Sequence, residues 1–195
     1  MSASAVSIRW LAVFCALLAL ITAPAFAADT LPLSELAKPG RLLMLRHANA
    51  PGFGDPPEFR LGDCSTQRQL DAAGRAQAVA LGKRLAAAGV TQARLWSSQW
   101  CRCLETARLL GLGEPVELPA LNSFFGRSEQ REPRVAALRQ FLATLPADGP
   151  PVVLVTHQVT ITAFTGEGIA AGAGALFELR PGGEPRLLGQ IAPNR

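Results

Sequence analysis

Two short runs, Leu42-Leu43-Met44-Leu45 and Val152-Val153-Leu154-Val155, contain no polar residue that would mark a solvent face. Each reads as a buried strand. The first continues into Arg46-His47 and the second into Thr156-His157, and these are the only two histidines in the 195-residue chain. Two strands that both stop at a histidine bring the imidazoles together at one edge of a sheet.

The surrounding pattern says what kind of sheet. Strands are expected over 41–45, 93–97, 116–118 and 152–155. Helices are expected over 69–88, 101–110, 133–145 and 159–164. In the first helix Leu70, Gly74, Ala78, Leu81 and Leu85 share one face, and Gly89 ends it. Val135, Leu138, Leu142 and Leu145 make the same face in the third, and Pro133 suits its first turn. A closing hairpin is expected over 175–179 and 186–188, across Pro181-Gly182-Gly183. Strands alternating with helices imply an α/β fold, a three-layer αβα sandwich around a mostly parallel central sheet. Ligands of such sheets bind at the carboxyl ends of the strands. His47, His157 and the Ser97-Ser98 turn all lie there. Residues 48–66, rich in Gly, Pro and Asp, form a loop long enough to suggest a functional role.

The N-terminus reads as a secretory signal peptide over residues 1–27. Arg9 precedes an apolar stretch over 10–21, and Ala25-Phe26-Ala27 has the small-x-small cleavage pattern. That stretch is short of the roughly 20 residues needed to cross a bilayer. A retained anchor is the alternative. Residues 28–195 then form a single domain, periplasmic or secreted, with no stable membrane insertion after cleavage. The formal net charge of +4 includes Arg9 and comes with no Lys/Arg-rich block, so nucleic-acid binding is not indicated. Lys38 and Lys83 are the only lysines; the remaining cations are arginines, whose planar forks suit phosphate and carboxylate. A GC-rich genome produces the same bias. An exported chain meets oxidising conditions, and Cys64 is expected to pair with Cys101 or Cys103, leaving one thiol free. No metal site is expected: Cys101-x-Cys103 has no second cysteine pair to complete it.

An imidazole with one nitrogen hydrogen-bonded and the other free is a good phosphoryl acceptor. Arg46, next to His47, can hold phosphate oxygens while phosphorus changes partners. Arg102 falls in the first turns of a helix, where the macrodipole disfavours a cation. It makes better sense with an anion bound between it and the helix end. The plainer alternative is a solvated surface arginine.

Four phrases in order now resemble the histidine phosphatase superfamily, over nearly all of residues 41–190. They are Arg46-His47-Ala48, then Leu70-Asp71-Ala72-Ala73-Gly74-Arg75-Ala76-Gln77-Ala78, then the segment from Ser97-Ser98 through Arg102 to Thr106-Ala107, and finally Val155-Thr156-His157. The resemblance implies a phosphoglycerate mutase-like fold and a phosphatase without cofactor. His47 would be the nucleophile. Arg46, Arg102 and His157 would surround the phosphate, and water would release it without a metal. The expected substrate is a small phosphorylated molecule or a phosphorylated cell-envelope glycan. Two departures matter. The family's Leu-Asn-Glu proton donor is replaced by Leu121-Asn122-Ser123, and Gln158 follows the late histidine where another branch has an acid. Asp55, Asp63 and Glu129 are the candidate acids. The residues Asp63-Cys64-Ser65-Thr66-Gln67-Arg68, with Asn122 and Phe124-Phe125, are expected at the pocket mouth. Arg60 and Arg68 are candidates for a second anionic group. A phosphohistidine or phosphoramidate phosphatase needs the acid least, and a non-catalytic phosphate- or glycan-binding protein is the competing class.

Overall fold

The two apolar runs lie side by side in register. A computed structural model describes residues 30–193; the expected signal peptide lies outside the described residues. Six strands, β1 (Arg41–Arg46), β2 (Arg94–Ser97), β3 (Val116–Glu117), β4 (Val152–Thr156), β5 (Gly174–Glu178) and β6 (Arg186–Ile191), form one sheet in the order β3-β2-β4-β1-β5-β6. The first four are parallel; β5 pairs antiparallel with β1, and β6 antiparallel with β5, at the far edge.

Successive side chains of β1 and β4 point to opposite faces, which explains their unbroken apolar sequence. Leu43, Leu45, Val153 and Val155 pack under α1 (Ala72–Ala87) and α2 (Cys101–Leu109), with Leu81, Leu85, Cys103 and Ala107. Leu42, Met44, Val152 and Leu154 pack with α3 (Arg131–Ala143) and α4 (Gln158–Thr165), through Leu138, Leu142 and Ile161. The result is the expected three-layer αβα arrangement.

Helix boundaries differ from the sequence expectation where caps decide them. The Asp71 carboxylate accepts the Gly74 N–H at 2.6 Å, so α1 starts after Asp71 rather than at residue 69. Helix α3 starts two residues before Pro133, which still falls in the first turn, where a missing N–H costs nothing. The hairpin strand β6 runs on to Ile191, because Gln190 and Ile191 keep pairing with Ala175 and Gly174. No helix among the described residues is long and apolar enough to cross a membrane.

Strand register sets the height of the functional edge. Arg46 lies opposite Thr156, and Ser97 opposite Val155. One residue further on, His47 N–H donates to the Thr156 carbonyl at 3.0 Å and Ser98 N–H to the Val155 carbonyl at 2.9 Å. His47, Ser98 and His157 therefore leave the sheet at one level.

Candidate active site

His47 is held by its neighbours from both sides. Its Nδ1–H donates to the Ala48 carbonyl at 2.8 Å, which leaves Nε2 as the ring nitrogen with a lone pair. The backbone beyond it is clamped. Ala48 N–H donates to Thr106 Oγ1 at 3.0 Å, and Asn49 N–H to Gln77 Oε1 at 3.0 Å. Asn49 Nδ2 donates to Asp71 at 2.9 Å. A Cβ on Gly74 would stand 2.0 Å from the Asn49 carbonyl oxygen, so only glycine lets α1 approach this closely. The motif residues Asp71, Gly74, Gln77 and Thr106 thus act on the backbone that carries His47.

His157 is fixed from the other side. Its Nε2–H donates to Ser98 Oγ at 2.9 Å; Ser98 in turn donates to Asn122 Oδ1 at 3.1 Å, which also accepts Gln99 N–H at 2.9 Å. The two imidazole centroids are 5.5 Å apart, with the rings steeply inclined. Burial, followed by the Arg102 charge, pushes His47 down to about 3. Burial, followed by the facing His47 and Arg102, holds His157 well below the usual histidine range. Both rings are therefore neutral near pH 7.

Arg102 Nε–H points at His47 Nε2 from 3.2 Å. Its two terminal nitrogens grip Asp55 at 2.7 and 3.1 Å, an ion pair with both side chains largely buried. Trp100 Nε1–H at 2.9 Å and Arg68 N–H at 3.2 Å complete the Asp55 cradle. Burial raises the Asp55 pKa, but the bonds and charge of Arg102 outweigh it, leaving the carboxyl below its ordinary range. Arg46 anchors one terminal nitrogen on the Ile169 carbonyl at 2.7 Å. Arg46 Nε, Arg68 Nε and His157 Nδ1 are buried and have no hydrogen-bond partner. All three residues line a cavity of about 710 Å³ whose floor is His47 and Arg102.

The structure sorts the sequence candidates. Arg46, His47, Arg102 and His157 converge. Of the three candidate acids, Asp55 alone lines the cavity. Asp63 is tied to Arg60 at 2.8 Å and to Ser65 at 2.6 Å, where it caps a short 3-10 turn, Cys64–Thr66. Glu129 is exposed in another 3-10 turn, Ser128–Gln130. Neither reaches the cavity. Arg60 is a surface charge, whereas Arg68 lines the site. Asn122 is not at the mouth: it is buried behind Ser98 and His157. Phe124 and Phe125 do line the cavity. Cys64 bonds to Cys101, one residue before Arg102, and so ties the Asp55 loop to α2. Cys103 is free, and burial pushes its thiol up to about 12, which keeps it unreactive. Sequence reasoning missed the Ser98–Asn122 support of His157 and the Trp100 bond to Asp55. Among the described residues no group of His, Cys, Asp or Glu is arranged to hold a metal ion.

This geometry agrees with comparison to known proteins. Residues 42–139, half of the chain, match the model of the histidine phosphatase superfamily (branch 1), and the chain belongs to that superfamily. A candidate SixA phosphohistidine phosphatase of Agrobacterium tumefaciens is 25% identical, with TM-score 0.52, over 80% of this chain and 99% of that one. A SixA protein histidine phosphatase bound to tungstate is 20% identical, with TM-score 0.57, over 78% and 97%. A mycobacterial glucosyl-3-phosphoglycerate phosphatase with inorganic phosphate is 18% identical, with TM-score 0.53, over 79% and 97%. A search of curated protein sequences finds no match.

Proposed function

We propose that this protein is an exported, metal-independent phosphatase that hydrolyses a phosphomonoester through a phosphohistidine on His47. The observation that carries this reading is the convergence of Arg46, His47, Arg68, Arg102 and His157 on one cavity, with Arg102 Nε–H 3.2 Å from His47 Nε2. A phosphate group supplies the negative charge that the converging Arg46, Arg68 and Arg102 guanidinium groups answer. Its negative charge also raises the His157 pKa, so that an imidazolium donates Nδ1–H to it.

In this mechanism His47 Nε2 attacks phosphorus and the ester P–O bond breaks. Arg46, Arg102 and His157 hold the equatorial oxygens as charge shifts onto the leaving oxygen. Asp55 gives the leaving alkoxide its proton. Free Asp55 is ionised on Arg102, but a phosphate competing for the same guanidinium places a like charge beside it and raises its pKa. Substrate binding itself thus protonates the acid. Water then attacks the phosphohistidine and returns a proton to Asp55. The P–N bond breaks, releasing inorganic phosphate and neutral His47.

Export to the periplasm or beyond is part of the proposal. It rests on the signal-like residues 1–27, and the Cys64–Cys101 bond is of a kind that oxidising compartments maintain. The cavity has room for a small phosphorylated substrate or the phosphorylated end of an envelope glycan. A second reading, a phosphohistidine phosphatase, is favoured by Ser123 standing where the family acid is expected. A third is a phosphate-binding protein that performs no chemistry.

The test uses the mature protein with an aryl phosphate, with and without EDTA, beside His47→Ala. The expected result is EDTA-resistant turnover that disappears in the variant. Equal inertness of both proteins, with phosphate still bound, would favour the binding protein.

A further inference from the structure

The floor of the cavity is charged, and its walls are mostly apolar, with Arg127 and Arg131 set among the rings. Phe53, Pro56, Pro57, Phe59, Phe124 and Phe125 line the approach to His47. Phe53 is 87% exposed and Phe125 is 48% exposed, and their rings meet edge-to-face at 4.8 Å. Gly52 and Gly54, at φ of +96° and +67°, hold the Phe53 turn in a backbone shape other residues resist. Phe59 stacks on Trp100 at 5.3 Å, and Trp100 meets the His157 ring at 5.2 Å. The aromatic surface therefore runs from the rim down to the floor. Apolar rings grouped on one concave surface mark a contact surface rather than scattered exposure.

To a polyhydroxylated leaving group the walls offer two guanidinium groups, Arg127, which lies over the Phe59 ring at 4.7 Å, and Arg131, which pairs with Glu132. The neutral polar side chains among the described lining residues are Ser123, Gln158 and Thr162. Ser123 Oγ already accepts the Phe125 N–H at 3.2 Å, and Thr162 Oγ1 already donates to the Glu167 carbonyl at 2.9 Å. An amine-bearing leaving group fares no better: Asp55 is the one carboxylate among the lining residues, and Arg102 holds it. An ammonium entering here would lose water without gaining a free carboxylate, and sugar hydroxyls would leave the aromatic surface that makes up most of the wall unmatched.

We propose that the leaving group is an aromatic alcohol, packed between the Phe53–Phe125 pair and the Phe59–Trp100 stack while its phosphate sits on His47. This inference rests on the phosphatase reading above and adds the substrate class to it.

The test must separate ring recognition from leaving-group acidity, since aryl phosphates break easily in any site. We therefore choose 2-naphthylmethyl phosphate and glucose 6-phosphate, both esters of primary alcohols. The expected kcat/KM is at least about ten-fold higher for the naphthylmethyl ester. That ratio should shrink several-fold in Phe53→Ala/Phe125→Ala. Equal values for the two esters, or a preference for the sugar, would overturn the inference and leave the phosphatase reading intact. If neither ester turns over, the phosphatase reading fails, and calorimetry with 2-naphthylmethyl phosphonate against methyl phosphonate decides the inference alone. Tighter binding of the naphthyl compound, weakened in the double variant, supports it; equal binding refutes it.

Discussion

The floor and the mouth of the cavity are built by different means. The floor hangs on strand ends: His47 and His157 leave adjacent strands at one level, and hydrogen bonds from α1, α2 and the Ser98–Asn122 pair lock them. The mouth hangs on loops, and its Phe53 and Phe125 rings touch each other and open space. Sites on rigid elements are placed more accurately than sites on loops. The difference suggests a division of labour: a fixed floor for a phosphate that every substrate shares, and an adaptable mouth for the group that differs.

Substitutions of the phosphate-holding floor should therefore affect all substrates alike, whereas loss of the proton donor should count according to the leaving group. Asp55→Asn should cut kcat/KM for alkyl phosphates by about 10²–10⁴-fold, and cut a phosphoramidate far less, because a nitrogen leaving group needs less help. Arg102→Ala should cost about 10²–10³-fold on every substrate. Steady-state kinetics over a short phosphate panel checks both. An Arg102→Ala loss confined to one substrate would break the division between floor and mouth.

The seam between the two regions is the Cys64–Cys101 bond, which closes a loop of sequence separation 37. Chain-entropy reasoning assigns such a cross-link about 4 kcal/mol of stability. Cys64→Ser/Cys101→Ser should lose most of that in urea unfolding. Loss of activity out of proportion to unfolding would show that the bond also positions Asp55 and Arg102.

A smaller effect concerns acid. His47 titrates near 3 when folded, against 6.5 in the unfolded chain. The unfolded state therefore binds the proton first. The stability His47 contributes by staying neutral is complete above pH 6.5 and drains away as pH falls towards 3. His157, depressed in the same direction, adds to the loss. Urea midpoints at pH 7.5 and pH 4.5 should fall further for wild type than for His47→Gln. Equal falls would mean that His47 is not held neutral by burial.

The floor was largely legible in the sequence and the mouth was not. Unbroken apolar runs ending in histidine are a local signal, and the parallel register of β1 and β4 converts it directly into two adjacent imidazoles. Arg102 was legible because it falls inside the phrase from Ser97-Ser98 to Thr106-Ala107; its place in the first turns of a helix alone left a solvated arginine open. Asp55 could be named only as one of three carboxylates, since its bond to Arg102 spans 47 residues. Asp63 looked equivalent in sequence, but its neighbours Arg60 and Ser65 hold it at the surface. Asn122 was misplaced at the mouth for a similar reason: its partners, Ser98 and Gln99, become neighbours only when the 119–122 segment folds beside β2. Such pairings depend on tertiary distance, which no periodicity encodes.

The proposed mechanism turns on one covalent bond, between His47 Nε2 and phosphorus. Rapid acid-free quenching of the mature protein with a ³²P-labelled aryl phosphate, followed by peptide mapping, tests it most directly. The predicted result is label that is acid-labile and base-stable, confined to the peptide carrying His47, formed within the first turnover and absent in His47→Ala. Turnover without any labelled histidine, or label that persists in His47→Ala, would contradict it.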